Sequence, residues 1–231
     1  MSVASPALAA ATVRLAGREL LVLGGVVGAV LLGVAAGYGP HRDELYFLRA
    51  GAQPAWGYAD QPPLTPLLAH ALDVVFGGSL VGLRAPSALM AGLVVVLTGL
   101  IAGELGAGRG ARLLAAGVMA VSAFLLGVGH LLSTSTLDLL VWTALSLLIV
   151  RGVRVGGPIW LVVGLVAGIG LENKWQPAFL LAGLLAGVLV VGPRAVLRTR
   201  WPWLGGLIAL AVWAPNLAWQ ATHGFPQLWL S

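Results

Sequence analysis

Apolar runs on the scale of a bilayer crossing recur along this chain, separated by polar breaks, at 20–37, 81–103, 113–129, 137–150, 159–171, 178–192 and 203–219. A hydrocarbon core about 30 Å thick asks for about 20 such residues per helix. Inside it every backbone N–H and C=O must be satisfied within the protein, which leaves closed barrels or helices. Continuous apolar runs without two-residue alternation select helices. The chain therefore reads as all-α, a polytopic membrane helical bundle with about seven transmembrane helices. Only 9% of its 231 residues are charged while 59% are hydrophobic, too few polar side chains to cover a water-facing globule. With no cysteine, disulfides and thiolate metal sites are excluded.

The arginines set the expected orientation. Runs 137–150 and 159–171 are short for a crossing, but counting each as one places Arg14/Arg18, Arg109/Arg112, Arg151/Arg154 and Arg194/Arg198/Arg200 on one side. The positive-inside rule makes that side cytoplasmic, with the N-terminus inside and 220–231 outside, as in a plasma-membrane protein. Of the eight acidic residues, all but Glu19 and Glu104 then fall outside. Run 20–37 is read as a retained span, since no small-residue cleavage motif follows it before Tyr38-Gly39-Pro40. The net charge of +5 is not a nucleic-acid footprint, because the arginines do not line one polar face.

The longest non-spanning stretch, 38–80, mixes Arg42, Asp43, Glu44, Arg49, Asp60 and Asp73 with Tyr46, Phe47, Trp56 and Tyr58. That mixture suits interfacial helices in a first outer loop, and it is where chemistry is expected. Gly33/Gly37, Gly164/Gly168 and Gly183/Gly187 have the spacing of close helix packing, but among 33 glycines such pairs arise by chance.

Four polar clusters interrupt the apolar pattern, two of them with both a plain reading and a chemical one. Asp43-Glu44 either ends a helix in water, paired with Arg42 or Arg49, or supplies a general base beside an amphiphilic substrate. Tyr58-Ala59-Asp60-Gln61-Pro62-Pro63 reads locally as a turn. Asp138 follows Ser133-Thr134-Ser135-Thr136, so Ser135 or Thr136 caps a helix with Asp138 in its first turn. Glu172-Asn173-Lys174 carries the one lysine of the chain, either snorkelling beside Glu172 or holding a phosphate. The four histidines lack the close spacing of a zinc site, and no phosphate loop or dinucleotide fingerprint occurs.

Taken together, these clusters resemble the membrane module of the dolichyl-phosphate-mannose-protein mannosyltransferase family and its aminoarabinose transferase relatives, which are GT-C glycosyltransferases. The resemblance rests on Asp43-Glu44-Leu45-Tyr46, on Trp56 through Pro63, and on Ser133 through Asp138. It extends to Gly168-Ile169-Gly170-Leu171-Glu172-Asn173-Lys174 and to Ala214-Pro215-Asn216-Leu217-Ala218-Trp219-Gln220. It implies a membrane enzyme moving a sugar from a polyprenyl-monophosphate donor to an acceptor hydroxyl, on a protein or a glycolipid, at the outer face.

By resemblance Asp43 matches the catalytic base, Asp138 a second acidic residue of the active site, Asp60 a carboxylate able to hold a divalent metal cation, and Lys174 a cation near the donor phosphate. Glu44 is a further catalytic candidate. Tyr58, Gln61 and Arg84 are further candidates for substrate binding. Aminoarabinose-type relatives carry a lysine where Gln61 stands before the paired prolines. The chain 1–231 is expected to be a single front module without the later spans and outer domain of longer relatives. Competing classes are a transporter or flippase-like protein, with 172–177 as an unwound substrate site, and a polyprenyl-lipid-binding module without turnover. Carboxylates gathered at one face instead of mid-membrane speak against the transporter.

Overall fold

The computed structural model describes residues 6–230, with side chains from 17 to 229. These residues form eleven α-helices: α1 (Pro6–Val34), α2 (Arg42–Gly51), α3 (Leu64–Phe76), α4 (Leu80–Glu104), α5 (Arg109–Ala120), α6 (Ala123–Gly129), α7 (Thr134–Val155), α8 (Ile159–Leu171), α9 (Gln176–Val190), α10 (Arg200–Thr222) and α11 (Pro226–Leu230). One 3₁₀ turn, Arg194–Arg198, joins α9 to α10.

Four helices are long and apolar enough to cross a membrane: Gly17–Val34 within α1, then α4, α7 and α10. A fifth results if α5 and α6, bent by 57°, make one span. The bend has a local cause, for the Ser122 hydroxyl accepts from the Leu125 N–H and starts a new helix at that point. The expected run 137–150 understates α7, whose 22 residues begin with the hydroxyl cluster and end beyond Arg151 and Arg154. Its cap is Ser133, not Ser135 or Thr136: Ser133 has extended backbone and accepts from the Thr136 N–H, so the later hydroxyls already lie in the first turn. By contrast α8 has 13 residues and α9 has 15. At 1.5 Å per residue these are about 20 and 22 Å long. Seven helices of full crossing length are therefore not present among the described residues.

Polar contacts sort the bundle into two ends. At one end Glu19 pairs with Arg109, while Glu104 bridges Arg151 and Arg154 at 2.6 and 2.7 Å. Arg14 belongs to the expected first cluster, but its side chain lies outside the described residues. At the other end gather the segment between α1 and α4, the turns before α7 and after α8, and the chain after α10. Tyr38 donates to His130 O, Asn173 to Thr134 O and Asn216 to Trp56 O, and Gln227 donates to Tyr58 O.

Helices cannot gain much by hiding apolar side chains from equally apolar lipid, so close backbone approach and shape complementarity hold the bundle. Gly24 on α1 abuts Gly92 on α4 with no room for a Cβ at either position. Gly164 and Gly168 on α8 abut Gly205 and Ala209 on α10, which sets these two helices parallel. Of the three small-residue pairs in the sequence, 164/168 is used in this way, whereas Gly33, Gly183 and Gly187 face open space. One core packs Leu20, Val27 and Leu31 against Val94, Val95 and Leu125, and a second packs Val141 and Leu145 of α7 against Val163, Ala167 and Ala209. Outward faces are apolar as well, with Val22, Val26 and Val30 exposed along α1, as lipid contact demands.

Candidate active site

Beneath the loop end lies a buried ion pair. Arg84 on α4 is 1% exposed and Glu44 on α2 is 0% exposed. Its Nε and Nη2 donate to Glu44 Oε1 and Oε2 at 2.8 and 2.7 Å, and its remaining hydrogens go to Ala35 O, Tyr38 O and Gly39 O. The Tyr38 ring covers the guanidinium at 4.0 Å. Glu44 also accepts from the His41 N–H, closing a capping box at the start of α2, and from the Leu132 N–H. Burial alone would raise the Glu44 carboxyl, but Arg84 with the His41 and Leu132 amides outweighs it and holds the group below the usual carboxylate range. Glu44 thus pairs with Arg84 rather than Arg42 or Arg49, and both side chains are committed to each other.

That pillar fixes what α2 presents outward. Asp43, the next residue back, stands 44% exposed beside Arg42, 3.3 Å away, and His41. One helical turn on, the Tyr46 hydroxyl donates to Asp60 Oδ1 at 2.6 Å. Burial, then the Asp60 carboxylate, pushes the Tyr46 phenol up, so it stays a donor. Positions three apart on a helix share a face, so α2 carries Asp43 on the side that grips Asp60.

Asp60 and Gln61 form one wall of a cleft of about 340 Å³ whose other lining includes Thr134, Lys174, Trp175, Gln176, Phe179 and Gln227. Lys174 is held there by its neighbour. Asn173 is fully buried, donates to Thr134 O at 2.8 Å and accepts from the Thr65 hydroxyl at 2.6 Å, pinning the α8–α9 break to both α7 and α3. The Lys174 ammonium then reaches Ser135 Oγ at 3.3 Å and not Glu172, so the snorkelling pair, one of the two sequence readings, is not formed. Asp138, one turn into α7, feels the Lys174 charge, and its Oδ1 is buried without a hydrogen bond.

The structure therefore brings Asp60, Gln61 and Lys174 onto one cleft, with Asp138 within electrostatic range of Lys174 and Asp43 three residues before the Tyr46 that holds Asp60. Glu44 and Arg84 do not line it. Tyr58 does not line the cleft: its hydroxyl donates to Gln53 O and its carbonyl accepts from Gln227. Among the described residues no three His, Asp or Glu side chains converge as metal ligands. Asp60, bonded to Tyr46 and sharing its cleft with an ammonium, is a donor set that does not fit a metal held by protein groups alone. Residues missed from sequence are Asn173 and Gln227, which position the walls. Asn173 adjoins the lysine that drew attention. Gln227 follows the last apolar run and carries no local signal.

A family model for dolichyl-phosphate-mannose-protein mannosyltransferase matches residues 60–219. The chain belongs to this family. The match covers Asp60, Gln61, Arg84, Asp138 and Lys174, while Asp43, Glu44 and Gln227 stand outside it. Membership in the mannosyltransferase family makes this a membrane glycosyltransferase type that draws its sugar from a polyprenyl phosphate. No curated protein and no solved structure gives a match.

Proposed function

We propose that the protein transfers a sugar from a polyprenyl-monophosphate donor to an acceptor hydroxyl on the outer face of the membrane. The observation that carries this is the rigid placement of Lys174 in the same cleft as Asp60. Three of the short-range groups around it are fixed by bonds spanning α2, α3 and α7, as preorganised electrostatics require. In transfer, the bond from the anomeric carbon to the phosphate oxygen breaks and a bond to the acceptor oxygen forms. The acceptor proton goes to the Asp43 carboxylate, which is 44% exposed on α2. The phosphate leaves as an anion that Lys174 stabilises, so no strong acid is needed. Asp138, whose carboxyl is within electrostatic range of Lys174, serves as the second acidic residue of the site.

Seven crossings complete this reading, with α8 and α9 as short ones. Arg109, Arg112, Arg151, Arg154 and Arg200 then share the cytoplasmic end and the cleft faces outward. Incubation of the purified chain in lipid with a labelled polyprenyl-phosphate sugar tests it. Release of free polyprenyl phosphate together with a glycosylated acceptor is expected. Movement of label across vesicles without bond cleavage, or binding alone, would replace the enzyme with a transporter or a lipid-binding module.

A further inference from the structure

Behind the cleft, the break after α8 buries a second carboxyl that the transfer step does not use. Glu172 is 9% exposed, and neither of its side-chain oxygens makes a hydrogen bond. Its backbone carbonyl accepts from the Leu64 N–H at 2.9 Å, tying it to the start of α3. Since α8 and α10 run parallel with Gly168 against Ala209 and Val212, one more turn on each brings Glu172 level with Asn216. Asn216 is fully buried inside α10, and its Nδ2 donates to Trp56 O at 2.9 Å. That bond fixes the amide orientation, so Oδ1 must find a donor, and it has none. A carboxylate cannot supply one. A carboxylic acid can.

We infer that Glu172 is a positioning residue that works as a neutral acid, donating its hydroxyl hydrogen to Asn216 Oδ1 and so latching the 56–62 segment, with Asp60 and Gln61, against α10. The charges around it fit this assignment. Among described residues α8 and α9 carry no charged side chain, and α10 carries Arg200 alone, at its far end. On α7, Asp138 is a like charge, while Arg151 and Arg154 pair with Glu104 at the opposite end. On α3 stand His70 and Asp73, beyond the first turn that touches Glu172. Asp60 is engaged by Tyr46, and Lys174 reaches toward Ser135. Nothing therefore compensates an ionised Glu172, and burial pushes its carboxyl up to about 7, with the Asn216 backbone opposing the rise. The latch is closed when the proton is on and open when it is off.

Hydrogen exchange on the full chain in lipid nanodiscs, corrected for intrinsic pH dependence, reads this directly in the 56–62 amides, where Tyr58 N–H is bonded to Gln61 O. In the unaltered protein, protection should be full below about pH 4.5, fall by up to about tenfold per pH unit above that, and show no further change beyond about pH 7. Glu172→Gln keeps a donor at every pH and should hold protection flat, whereas Glu172→Leu should be open throughout. A carboxylic-acid carbonyl band in the infrared spectrum below that pH, absent from Glu172→Gln, checks the proton itself and, in the unaltered protein, does not depend on any variant folding. Protection that does not change with pH, or the same pH dependence in Glu172→Gln, overturns the latch. The inference concerns the donor cleft proposed above, yet exchange and infrared report it without turnover, so loss of transfer with an intact latch would count against the cleft assignment alone.

Discussion

Removing one partner of the Glu44–Arg84 pair separates a structural role for Glu44 from a catalytic one. In Glu44→Gln the guanidinium keeps its bonds to Ala35 O, Tyr38 O and Gly39 O but loses its counter-charge at 1% exposure. An uncompensated buried charge of this kind costs about 3 to 5 kcal/mol. The Tyr38 ring covers the guanidinium in both proteins and does not offset the difference, so a loss within this range is expected. Replacing both residues, Glu44→Leu with Arg84→Met, removes the stranded charge and should restore a large part, because neither ion is then desolvated. Reversible unfolding in mixed micelles measures the stability, and transfer per folded molecule is measured alongside. Because Glu44 is held below its ordinary pKa of 4.5, its contribution is present above that pH and is lost as pH falls further. A Glu44→Gln protein of unaltered stability with no turnover would refute the structural assignment and make Glu44 the base.

Three other outcomes follow from the site. Asp43→Asn should lower transfer about 100-fold or more while donor binding persists, since the amide keeps shape and loses basicity; near-normal turnover would move the base elsewhere. Lys174→Gln should weaken donor capture by about 1.5 to 3 kcal/mol, with Lys174→Arg retaining part, as judged by donor titration of folded protein. Single cysteines at Ser79 and Arg154, at opposite ends of the bundle, should label from outside intact cells at position 79 and not at 154; the reverse pattern would invert the orientation.

The helical bundle and most of its spans were legible because lipid leaves the backbone few options and apolar length reports them directly. The α5–α6 bend was not, since it depends on one serine acting as a cap inside an apolar run, and Ser122 looks like any small residue. For the same reason the start of α7 was placed at the wrong hydroxyl. Charged positions pointed to the right neighbourhoods, because Asp60 and Lys174 do share a cleft. Partners were harder to read. Arg84 lies 40 residues from Glu44, and Asn173 reaches 108 residues back to Thr65, separations over which local pattern carries no information.

The short length of α8 and α9 bears on how a very hydrophobic substrate meets a charged cleft. On the seven-crossing reading, two neighbouring walls fall roughly 8 to 10 Å short of a hydrocarbon core about 30 Å deep. The surrounding leaflet must dimple toward them, since thinning costs only fractions of a kcal/mol per Å. The break at 172–175 then opens into the floor of that dimple. If the proposed donor site holds, a prenyl chain can stay dissolved among acyl tails while its phosphate, already drawn below the mean surface, meets Lys174 sideways, so the donor never has to be lifted out of the membrane.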